Sequence, residues 1–105
     1  MIELKEPLAV AEIRWLPESQ GGRSSGPPTA PVYAATARFP GSDAALLSIL
    51  VQHTDAQSDG LALANIGFLV PDLARPHLHV GTELLINEGP TVVAHVVIRE
   101  LLPAE

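Results

Sequence analysis

Period-two alternation of apolar side chains is the feature that most limits what this chain folds into. Ala9, Ala11, Ile13 and Trp15 share one face of a stretch whose other face carries Glu12 and Arg14. Tyr33, Ala35, Ala37 and Phe39 share a face opposite Thr36 and Arg38. Ala62, Ala64, Ile66, Phe68 and Val70 oppose Asn65 and Gly67, and Val92, Ala94, Val96 and Ile98 oppose Thr91, His95 and Arg99. Successive side chains point to opposite faces in an extended chain, so each stretch predicts a strand with one face in a core. Four such strands suit an antiparallel sheet curled around a shared interior.

Two further stretches complete the set. Leu46–Gln52 is apolar almost throughout, and Ile49 and Val51 favour a strand over the helix that Ala44 and Ala45 would support. Thr82–Glu88 puts Leu84 and Ile86 inward and is bounded by Gly81 and by Gly89-Pro90, which predicts a short strand with a turn at each end. The remaining turns are predicted at Pro17–Pro31, Pro40–Asp43, Thr54–Gly60 and Pro71–Gly81. The 10 prolines and 8 glycines fall almost wholly in these gaps. Strands punctuated in this way indicate a small barrel or sandwich, in one domain over residues 1–105.

Charge narrows the partners. The net charge is −6, and the basic residues Lys5, Arg14, Arg23, Arg38, Arg75 and Arg99 are scattered singly. Nucleic-acid binding relies on clustered cations that displace counterions from phosphates, so a protein partner or small ligand is expected before RNA or DNA. The absence of cysteine removes disulfides and thiolate metal sites and fits a reducing, cytoplasmic setting. The first fifteen residues carry Glu3, Glu6 and Glu12 and do not read as a signal peptide, and no run approaches the roughly 20 apolar residues of a membrane helix.

Five fragments in order carry a resemblance to a known family. They are LPESQGGR (Leu16–Arg23), VYAATARF (Val32–Phe39), IGFLVPD (Ile66–Asp72), LHVGTELLINEG (Leu78–Gly89) and TVVAHVV (Thr91–Val97). Together they resemble the C-terminal β-barrel domain of elongation factor Tu over roughly residues 8–102. The resemblance implies an all-β, six-stranded antiparallel closed barrel that is not catalytic and that, in the family, packs on a GTPase domain and touches tRNA. The chain departs from the family by placing Val93 and His95 where glycines stand in its last strand, and Pro90 where an arginine follows the Glu-Gly turn. The phosphate-cradling G-x-x-x-x-G-K-[ST] signature is missing, which predicts no nucleotide hydrolysis. A free barrel without its GTPase neighbour would leave an apolar patch exposed, which makes a homodimer one expected assembly.

The candidate site residues lie in the connections. Arg23 follows Gly21 and Gly22, which allow a sharp fold of the chain that aims the arginine at a partner's anion or at a carboxylate of its own barrel, with Glu88 one choice. His77 and His79 form an H-x-H pair that would need a third ligand to hold a metal. His53, Asp72, Glu83 and His95 are available, but no spacing demands them; the expectation is solvent-exposed loop histidines that contribute to partner binding, with no metal and no cofactor. Trp15 and Tyr33 are expected to pack in the core. The serines show no strand-turn-helix elbow, and no nucleophile–base pair stands out.

Overall fold

The computed structural model describes residues 7–17, 19, 21, 32–40, 46–58 and 61–103, with the side chains of 55–58 and 61 left aside. Six strands carry the fold: β1 (Ala9–Trp15), β2 (Val32–Arg38), β3 (Leu47–Ser58), β4 (Leu61–Phe68), β5 (Glu83–Glu88) and β6 (Thr91–Leu101). A short helix α1 (Pro71–Ala74) and a 3-10 turn (Arg75–His77) lie between β4 and β5. The strands close into a barrel in the order β1-β4-β3-β2-β5-β6, every neighbouring pair antiparallel. The expected six-stranded antiparallel closed barrel is thus what the chain forms.

The alternating residues fill its interior. Ala9, Ala11, Ala64 and Ala94 are wholly buried, as are Ile49, Ile66, Leu84, Ile86 and Ile98. A ring of six strands is narrow, so large side chains on some strands need small ones on others. The register supplies this match: Ala9 faces Ile66, Ala11 faces Ile98, and Ala94 faces Ile86. Outside the barrel, Asn65 Nδ2 donates to Gln52 Oε1 at 3.0 Å between directly opposed residues of β3 and β4.

Two connections show why the backbone turns where it does. β5 and β6 are joined by Gly89-Pro90, with Glu88 paired to Thr91. Gly89 has φ +60°, and a glycine at the first central position is what a two-residue hairpin of this kind requires. The turn His79–Thr82 is closed by the Thr82 amide donating to the His79 carbonyl at 2.9 Å, and Gly81 takes φ +91° at its third position.

Some boundaries differ from the sequence expectation. The stretch from Thr54 was expected to turn, yet β3 runs on to Ser58, because an irregularity between His53 and Gln57 lets the polar continuation keep pairing with β4. Val70 was expected on the inner face, but β4 ends at Phe68 and Val70 lies outside, in the extended conformation that a following proline imposes. In β6 a register shift opposite Ile86 and Asn87 turns Val93 inward (2% exposed) and leaves Val92 half-buried, the reverse of strict alternation. Pro71–Gly81, expected as an irregular loop, contains α1 and the 3-10 turn. Pro71 stands in the first helical turn, where its missing N–H costs nothing, and Asp72 adds a favourable negative charge there.

Candidate functional site

Antiparallel pairing puts the ends of alternate strands together, so the barrel has two rims. One gathers the starts of β1, β3 and β5 with the ends of β2, β4 and β6. It is closed by the segment 69–82, which folds across it because Ala74 (0% exposed) and Leu78 (5%) are drawn into the core beside Leu8, Phe39 and Phe68. The Phe39 and Phe68 rings stack at 6.3 Å, and His77 stacks on Phe39 at 4.9 Å with 28° between planes. His77 is therefore the outermost ring of a column that begins in the interior.

Burying Ala74 and Leu78 forces their neighbours outward. Leu69 (68% exposed), Leu73 (55%), Leu46 (53%) and Val70 (52%) all stand on this rim, with Val80 and Leu101 on its far side. Among the described residues these six are the only large aliphatic side chains strongly exposed, and all lie at the same end. Polar contacts here are sparse: Asp72 and Arg75 approach to 3.6 Å in a largely exposed pair, a geometry that contributes little. A cavity of about 430 Å³ opens on this rim, lined by Phe39, His77 and Glu83 among others.

The other rim is built differently. Trp15, Tyr33 and His53 face inward from β1, β2 and β3 and form its top layer, with Trp15 edge-on to Tyr33 at 5.3 Å and tilted against His53 at 5.6 Å. Tyr33 donates its hydroxyl hydrogen to the Glu88 carboxylate at the end of β5. Trp15 Nε1 and His53 Nε2 are buried with no hydrogen-bond partner among the described residues. Burial pushes the His53 imidazole below its ordinary pKa, because a charged ring loses solvation there.

Of the predicted site residues, His77 and His79 line the same cavity. Gly21 is exposed with φ +87°, and Gly22 and Arg23 lie outside the described residues. His79 is exposed in the turn, whereas His77 is half-buried against Phe39, which corrects the expectation of two exposed loop histidines. No group of three His, Asp or Glu side chains among the described residues is placed to hold a metal ion. Trp15 and Tyr33 do pack on the core, as expected. Sequence reasoning missed the leucines of the first rim. A signal was available: Leu69 and Val70 immediately precede Pro71, which ends a strand, so their alternation had no strand left to serve. No protein-family profile, curated protein or solved structure matches the chain.

Proposed function

We propose that this protein is a non-catalytic interaction module that docks on another protein through the rim formed by Leu46, Leu69, Val70 and Leu73. One observation carries the reading: among the described residues, large aliphatic side chains that are more than half exposed are confined to one end of the barrel. Side chains of this size gain about 1.5–3 kcal/mol each when buried, and contiguous apolar surface of this kind marks contact sites. The partner is a protein, with a second copy of the chain as one form of it, in a cytoplasmic setting; net charge −6 disfavours nucleic acid.

The finer reading of the fold, a barrel of the elongation factor Tu C-terminal type, belongs to the same proposal. Its support is the order of the five resembling fragments, three of which lie on β2, β5 and β6. The test pairs Leu69→Ser/Leu73→Ser with the unaltered protein, each immobilised in cell extract and each run alone by sedimentation. A partner retained by the parent and lost by the double variant, or a dimer that it dissociates, supports the docking reading. Identical retention and identical sedimentation of the two refute it.

A second reading is a small-molecule site at the opposite rim, favoured by the partnerless Trp15 Nε1 and His53 Nε2. Ligand-induced thermal stabilisation that disappears in Trp15→Phe supports it.

A further inference from the structure

The cavity beside His77 has an unusual balance of hydrogen-bonding groups. Its lining contains one carboxylate, Glu83, and no lysine or arginine. It is also poor in free backbone donors. Pro40 and Pro76 have no backbone N–H. The amide of His79 is spent on Thr82 Oγ1 at 3.1 Å, that of Thr82 on the His79 carbonyl, and that of Gly81 on the Ile98 carbonyl at 2.7 Å. Five lining residues thus offer a ligand no free backbone donor, in a space whose charged group is an acceptor. The carboxylate suits a ligand that brings donors and positive charge.

The shape selects among cations. A metal ion has no three-ligand group to bind among the described residues. His77 stacks on Phe39, which stacks on Phe68, and both His77 and Phe39 line the cavity, so aromatic surface borders the same space as Glu83. A planar cation with several N–H groups can stack on that surface while pairing with the carboxylate. Glu83 makes no ion pair among the described residues, whereas Arg99 is held by Glu12 at 3.2 Å and Arg75 by Asp72. Two smaller depressions on the barrel wall, about 270 and 120 Å³, also converge on Glu83 and share His95 with each other. Glu83 therefore stands at the corner where the rim meets a furrow along β6.

We propose that this cavity binds a guanidinium group, with Glu83 as the ion-pairing partner and His77 as the stacking surface. The site stands whether or not the neighbouring leucines dock a protein. Arg38 is diagonal to Glu83 across β2 and β5, so it competes with the ligand for the carboxylate.

The test is an NMR titration of the full chain with agmatine, with N-acetyl-arginine methylamide, with the lysine analogue and with inorganic phosphate. Expected are saturable shifts at His77, His79 and Glu83 with the two guanidines and weaker ones with lysine. Glu83→Gln, near-isosteric at an exposed position, weakens binding about tenfold, the scale of one charge-assisted contact. Arg38→Gln tightens it. Tighter binding of the peptide-like arginine than of agmatine assigns the ligand to a polypeptide; equal binding assigns it to a free guanidine. Absence of saturable shifts, affinity unchanged in a folded Glu83→Gln, or phosphate perturbing the same residues more strongly overturns the proposal.

Discussion

The two rims of the barrel are closed by opposite means. At one, hydrophobic anchors from a short helix and turn enter the core, and the chain between them presents leucines to solvent. At the other, inward-facing Trp15, Tyr33 and His53 fill the mouth themselves, with a hydroxyl–carboxylate bond to Glu88 and two buried nitrogens without partners among the described residues. The first arrangement places apolar surface outside; the second places polar atoms inside. Both are energetically costly in an isolated chain, and they ask for different remedies: a covering surface in one case, a hydrogen-bonding group in the other.

The contrast can be broken most severely through the ring column. Phe68→Ala removes a buried ring that supports Phe39 and, through it, His77, and should cost about 3–5 kcal/mol in denaturant unfolding. If the loss is below about 1 kcal/mol, the first rim is not anchored from the core. Gly81→Ala forces a side chain to φ +91° and should cost about 1–2 kcal/mol, although nothing crowds the position. Tyr33→Phe removes the bond to Glu88 at the opposite rim and should cost about 1 kcal/mol or less, since that bond is exposed.

Acid sharpens the comparison, because it acts on the second rim through His53. The folded-state pKa of His53 is lowered, so the unfolded chain binds the proton more readily. This contribution to stability is complete above the unfolded value near 6.5 and is lost as pH falls through the window below it. Melting temperature should decline over that window in the parent and decline less in His53→Gln. The smallest effect is expected for Leu73→Ser, whose folding stability should stay within about 0.5 kcal/mol of the parent, because the side chain is already exposed. A larger loss would mean that Leu73 belongs to the core and not to a contact surface.

Much of the architecture could be read from alternation alone. Ala9, Ala11 and Ile13, or Ala64, Ile66 and Phe68, are legible because a strand's inner face depends only on neighbours two residues away. The polar end of β3 was not legible, since its pairing depends on an irregularity that β4 accommodates. The site was less legible than the barrel. His77 meets Phe39 through a fold that brings together residues from β2 and from the 3-10 turn, and nothing in the H-x-H spacing announces a stacked ring. The scarcity of free backbone donors in the cavity arises from bonds within and beyond the turn His79–Thr82, which no residue pattern encodes. Glu83 was named only as one of several spare ligands, because its place at the cavity depends on how the segment from Pro76 to Thr82 folds beside Phe39 and Pro40.

The pairing of β6 with β1 has a consequence for any recognition event. Each of the six strands lies between two paired neighbours, so no whole strand edge is open for a visiting peptide to add itself. Affinity must then come from individual side chains at the rims and in their hollows. An interface of that kind can be retuned one residue at a time without disturbing the cylinder that presents it.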